Sequence, residues 1–196
     1  MAVQKILSVI SGLLFLVAFV PYIRAILSGE TKPAKTSWLI WATLDTITLT
    51  AMFVADTVNG QIVGAVLGSW IVAGLAMKYG SPGWTRIDVF CLVGSGIGIG
   101  LWWMFSNPTL GIVVSVSVVF LAAIPTFHSA WEDPSRENRT AWIIYWLSCV
   151  AAVLAIPAWT LADVAQPIVF LTIESVMMYI LFFSPGAKIL RMLAED

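Results

Sequence analysis

Apolar stretches of roughly 20 residues alternate along the chain with short polar segments, the spacing a bilayer imposes, because a helix rising 1.5 Å per residue needs about 20 residues to cross the hydrocarbon core. Seven stretches are read from the sequence, at 6–27, 37–57, 61–79, 87–105, 109–131, 141–160 and 165–184. Each is expected to be helical. In lipid, an isolated span can satisfy its backbone hydrogen bonds only internally, and the stretches lack the alternation of barrel strands. A composition of 60% hydrophobic and 11% charged residues makes lipid the main solvent. The first stretch follows Lys5 and superficially resembles a signal peptide. It runs on to Leu27 with no small-residue cleavage site and with basic residues after it, so it is expected to be a retained span.

The charges add direction. With seven spans, one face holds only Lys5. The opposite face holds Arg24, Lys32, Lys35, Lys78, Arg86, Arg136, Arg139, Lys188 and Arg191, nine of the ten Lys and Arg residues. Excess Lys and Arg marks the cytoplasmic side, so the N-terminus is expected outside and the C-terminus in the cytosol. Minimal loops on a short chain fit a prokaryotic plasma (inner) membrane. The one-sided basic surface reflects topology and contact with anionic lipid rather than nucleic-acid binding.

The sequence also repeats. A shift of 104 residues places Ala18 on Ala122, Pro21 on Pro125, Thr36 on Thr140, Trp38 on Trp142, Ile40 on Ile144 and Ala51 on Ala155, with Lys32 on Arg136 and Lys35 on Arg139. A shift of 106 places Ile62, Val63 and Ser69 on Ile168, Val169 and Ser175. Spans one to three and five to seven therefore read as two copies of a three-helix unit. Such a unit ends on the face opposite its start, so two copies run parallel only if a linker span separates them. The expected fold class is thus an all-α membrane protein of seven transmembrane helices, two parallel triple-helix bundles joined by a linker helix (3+1+3). The first bundle occupies 1–80, the linker helix 81–107, and the second bundle with a short cytosolic tail 108–196. Parallel repeats of this kind are a recurrent transporter design with the solute site near the midplane between the halves.

On Pro21 and Pro125, the basic loops that follow them, and Trp38 and Trp142, the chain resembles the PQ-loop/SWEET-type (MtN3-like) transporter superfamily. The resemblance implies the same 3+1+3 layout, outside N-terminus and cytosolic C-terminus over essentially the whole length. The family's Pro-Gln pair stands here as Pro21-Tyr22 and Pro125-Thr126. No Asn occupies the middle of the third or seventh span, where sugar-binding members often carry one, so the substrate stays open between a sugar, an amino acid and a vitamin-like solute.

Candidate chemistry lies in polar groups that are costly in lipid. Asp45 and Glu174 are the ionisable side chains well inside spans, and an intramembrane carboxyl is a functional-site hypothesis by default. Facing one cavity, they would retain or share a proton, the raw material of proton coupling. The competing role is hydrogen-bonded glue between helices, each contact contributing about 0.6 kcal/mol. Trp38, Trp41 and Asp45 fall at i, i+3 and i+7 on one helix face, and the repeat places Trp142, Tyr145 and Cys149 on the matching face. Trp41, Asp45, Ser69, Tyr145, Cys149, Glu174 and Ser175 are therefore the candidate solute-binding residues. Trp38 and Trp142, near span ends, read more readily as interfacial anchors. Trp70 either caps the site or faces lipid. Pro21, Pro125 and Pro157 are candidate hinges, with a static kink as the alternative.

Other features exclude or redirect. The glycines at 94, 96, 98 and 100 do not form Gly-x-Gly-x-x-Gly, and with Gly60, Gly64 and Gly68 they read as close-packing faces that also permit a homo-oligomer. Cys91, Cys149 and His128 supply no metal-ligand set, so neither metal nor cofactor is expected. Glu132, Asp133, Arg136, Glu137 and Arg139 read as a solvated loop. No lysine lies inside the seventh span to carry retinal, and no nucleophile and base pair marks an enzyme. The expected partners are a small solute and the lipid bilayer. The expected function is alternating-access transport of that solute, with a non-transporting membrane scaffold or sensor as the alternative.

Overall fold

The computed structural model describes residues 2–33, 35–80 and 107–184, with isolated helical positions at 86, 89, 93, 96, 97 and 100; the side chains of Thr36, Pro125, Ser129 and Arg136 lie outside the description. The described residues form α1 (Ala2–Ser28), α2 (Lys35–Val54), α3 (Gly60–Tyr79), α4 (Pro108–Glu132), the 3-10 turn Pro134–Arg136, α5 (Arg139–Leu154) and α6 (Leu161–Phe183), with no strand among them. Local chemistry sets the ends. Asn59, Asn138 and Thr160 cap α3, α5 and α6 by accepting from the amides of Ile62, Ala141 and Asp163. Gly29 closes α1 at φ +79°, a left-handed conformation that costs other residues, and the Thr31 amide then reaches back to the Ala25 carbonyl at 3.0 Å. Within α2, the hydroxyls of Thr43, Thr46, Thr48 and Thr50 donate to carbonyls four residues back, so a Thr-rich helix carries no unpaired hydroxyl protons there.

Five of these helices, α1 to α4 and α6, are long and apolar enough to cross a membrane, and their exposed surfaces carry large apolar side chains such as Val3, Ile6, Phe53, Leu67, Tyr179 and Phe183. The chain has the make-up of a multi-pass membrane protein. The expected fourth span, with Cys91 and the linker segment, lies outside the described residues apart from the isolated helical positions, as do Lys188 and Arg191 in the tail. The expected sixth span is corrected: α5 is an apolar helix of 16 residues that stops at Leu154 rather than running to 160. Ala155 closes it with an amide bonded to the Ala151 and Ala152 carbonyls, and Pro157 follows in an irregular segment. Pro157 is thus not an intrahelical hinge. Pro21 does lie inside α1, and Pro167, which the sequence reading passed over, lies inside α6.

Helix contacts close into a ring in the order α1, α3, α2, α4, α6, α5, and back to α1. In each half the third helix lies between the first and second, and the halves meet along α1 with α5 and α2 with α4. Glycine lets α1 and α3 approach: a Cβ on Gly12 would collide with the Gly60 carbonyl, and one on Gly64 would come within 2.7 Å of the Gly12 carbonyl. The glycine face of α3 is therefore spent inside the chain. The shift of 104 maps the buried face of α1 onto that of α4, placing Ser11, Phe15, Ala18, Phe19 and Ile26 on Ser115, Val119, Ala122, Ala123 and Ala130, all buried. Between α3 and α6 burial matches at a shift of 105, which places Gln61 on Gln166, Ser69 on Glu174 and Val72 on Met177. The expected shift of 106 is out by one residue there.

Candidate functional site

The ring encloses a cavity of about 600 Å³ that every helix lines. Corresponding positions of the two halves face each other across it: Phe15 and Val119, Phe19 and Ala123, Tyr22 and Thr126, Trp38 and Trp142, Trp41 and Tyr145, Ser69 and Glu174. The pairs between α1 and α4 are complementary in size. Where α1 brings phenylalanines, α4 brings Val and Ala. Where α3 has Gly68, across which the Phe19 ring lies so closely that a Cβ would overlap it, α6 has Ile173. The aromatic wall is continuous, with ring centroids 5.1 Å apart for Trp38 and Trp41, 5.1 Å for Phe19 and Tyr145, 4.8 Å for Phe15 and Tyr145 and 6.1 Å for Phe15 and Phe170. The spacing suits edge-to-face and tilted aromatic packing.

Polar atoms converge on this apolar wall. Asp45, Tyr145 and Glu174 are 6%, 5% and 7% exposed, which places both carboxyls inside the ring rather than against lipid. Ser69 Oγ donates to the Val66 carbonyl at 3.3 Å and lies within hydrogen-bonding reach of the Asp45 carboxyl. Trp41 Nε1, the Tyr145 hydroxyl and Glu174 Oε2 are buried without a hydrogen-bond partner among the described residues. Buried polar atoms are nearly always paired, so these three orphans leave one donor, one hydroxyl and one carboxyl oxygen on one cavity wall with unused hydrogen-bonding capacity. Asp45 and Glu174 face the same cavity but have different neighbours, Ser69 for the first and Tyr145 for the second, and among the described residues no hydrogen bond joins the two carboxyls.

The two ends of the ring differ. At the end formed by the α1–α2 loop and the start of α5, the cavity is lined by residues 29–33 and by Glu137. Glu137 Oε2 accepts from the Trp142 indole at 2.9 Å, and burial pushes the Glu137 carboxyl up from 4.5 to about 7 against the opposing effect of that hydrogen bond. Arg24, Lys32, Lys35, Lys78 and Arg139 gather at this end, as the charge pattern predicts, and Lys5 lies at the other. At that other end a buried polar layer shuts the ring. Asn59 Nδ2 donates to Gln166 Oε1 at 2.8 Å, Gln166 Nε2 to Gln61 Oε1 at 3.0 Å, Gln61 Nε2 to Cys149 Sγ at 3.0 Å, and Ser148 Oγ to the Ser11 carbonyl at 2.7 Å.

Of the residues named from sequence, Trp41, Asp45, Ser69, Tyr145 and Glu174 line the cavity. Cys149 and Ser175 do not. Cys149 belongs to the closing layer, and Ser175 Oγ accepts from Trp146 Nε1 at 3.0 Å on an exposed side. The one-residue register error put Ser175 where Glu174 stands. Trp70 faces outward and donates to Thr46 Oγ1 at 3.0 Å. Pro21 borders a smaller side cleft between α1 and α5, whereas Pro125 lies within α4 with its side chain outside the description. Trp38 and Trp142, read from sequence as interfacial anchors, line the cavity, and Glu137 is half-buried rather than part of a solvated loop. Phe15, Phe19 and Tyr22 were missed, although their i, i+4, i+7 spacing marks one face of α1. No family model matches the chain, nor does any curated protein or solved structure.

Proposed function

We propose that the protein is a membrane carrier that moves a small polar solute by alternating access, with a 3+1+3 layout, an outside N-terminus and a cytosolic C-terminus. The observation that carries this reading is a cavity between two repeat-related halves, lined at matching positions and furnished with polar atoms unpartnered among the described residues. A scaffold has no use for orphaned Glu174 Oε2, Tyr145 hydroxyl and Trp41 Nε1, which as packing glue would be bonded to neighbouring helices. The cavity opens toward the basic end and is shut by the Asn59, Gln61 and Gln166 layer, the arrangement of an inward-facing carrier when basic residues mark the cytosol. Solute binds against the aromatic wall with Asp45 and Glu174 as proton-coupling groups, and the halves rock so that the closing layer parts while the Glu137 end shuts.

Uptake into proteoliposomes with an imposed pH gradient, screened over sugars, amino acids and vitamins, tests the reading. Asp45→Asn and Glu174→Gln are each expected to cut flux by about tenfold or more, the scale of one lost charge-assisted contact, and to flatten its pH dependence. Unchanged flux and pH dependence in both variants removes the coupling role, and absence of flux for every solute class sinks the carrier.

A further inference from the structure

The chemistry of the cavity narrows the solute, on the premise that the site is a carrier site. We propose that it takes a small organic cation, an amine or quaternary ammonium that also carries an oxygen acceptor. Formal charge within the ring is one-sided: Asp45 and Glu174 sit at depth, and Lys32, the basic lining residue among those described, is exposed in the loop at the mouth. An anion entering would meet two carboxyls with no basic partner in the wall. A sugar asks for many hydrogen bonds, and most of this wall is apolar.

A cation fits on three independent grounds. The orphaned Glu174 Oε2 offers a carboxyl oxygen to which no described protein group is bonded. Trp38, Trp41 and Tyr145 line the same cavity as the two carboxyls, and cation attraction to an aromatic ring strengthens where water is excluded. A solute cation also brings the counter-charge that buried carboxyls lack. The second orphan refines the class, since Trp41 Nε1 is a donor only and calls for an acceptor on the same solute. An amino alcohol meets both demands, placing its nitrogen between Glu174 and Asp45 and its oxygen on Trp41.

Equilibrium binding to the purified full chain in lipid nanodiscs, read by tryptophan fluorescence and by thermal stabilisation, tests this with four probes: choline, ethanolamine, glucose, and the neutral isostere of choline in which carbon replaces the quaternary nitrogen. Choline is expected to bind at least about tenfold more tightly than its isostere, with Glu174→Gln and Asp45→Asn each shrinking that ratio. Trp41→Phe, which removes the indole donor and keeps a weaker ring, is expected to weaken choline and isostere alike and to shrink the ratio less than either carboxyl variant. If the isostere or glucose binds as tightly as the better of the two cations, the cation inference is overturned and the carrier reading stands. If none of the four binds while another solute is taken up by proteoliposomes, the inference again falls alone; if nothing is taken up either, both fall. The wild-type ratio decides the matter even where a variant fails to fold.

Discussion

Three residues show what a cavity costs the protein that keeps it. The Tyr145 hydroxyl and Trp41 Nε1 are buried without partners, and an unsatisfied buried polar atom costs about 1–3 kcal/mol. Tyr145→Phe removes such an atom while keeping the ring against Phe15 and Phe19, so thermal unfolding in detergent is expected to show stability unchanged or raised while transport falls. Marked destabilisation with intact transport would instead make Tyr145 a packing residue. Glu137 supplies a pH readout of the mouth. Burial raises its folded-state value from 4.5 to about 7, so the native state holds the proton more tightly than the unfolded chain. The stability this contributes is full below 4.5 and is lost as pH rises to about 7. The unfolding midpoint of the wild type, minus that of Glu137→Gln, should therefore fall across that window and level off above it; a flat difference would mean the carboxyl is solvated in the folded protein.

At the scale of elements, close helix approach and cavity shape have the same origin. Gly12, Gly60 and Gly64 bring the α1 and α3 backbones together, and Gly68 then makes room for Phe19 to lie across α3 instead of filling the cavity. Gly68→Ala is expected to push the Phe19 ring inward, at a cost of about 1–3 kcal/mol typical of overpacking, and to weaken solute binding. The combination Gly68→Ala with Phe19→Leu should recover binding, whereas a Gly68→Ala protein with wild-type affinity would mean the ring escapes outward. The proline in α6 is Pro167, one residue after the Gln166 of the closing layer. Pro157 lies outside any helix because α5 ends three residues earlier.

For the whole molecule, the ring order makes the two ends unequal. In a background without native cysteines, a cysteine at Ala123 is expected to react with a hydrophilic thiol reagent from the basic side, and one at Ile62, fully buried next to Gln61 of the closing layer, to stay protected. Equal labelling at both would contradict a one-end-open state. Much of this was legible in the sequence. Apolar length announced the helices, the basic residues sorted themselves to one end, and the shift of 104 already placed α1 on α4 and α2 on α5 with Trp41 opposite Tyr145. These features depend on local chemistry and on solvent, which a sequence carries directly. What the sequence left undecided was set by neighbours it does not adjoin. Ser69 answers Glu174 and not Ser175 because burial against α1 and α5 fixes the rotation of α3 and α6, to which one residue in an apolar helix is nearly indifferent. Trp38 and Trp142 read as membrane anchors by depth, yet they line a cavity because the ring turns both faces inward. Glu137 read as a solvated loop charge, and only the tertiary structure makes it a half-buried acid at the mouth, bonded by the Trp142 indole. Lipid and length determined that the chain is a bundle; packing among the six described helices decided which polar side chains are left without partners, Trp41, Tyr145 and Glu174 on the cavity wall among them.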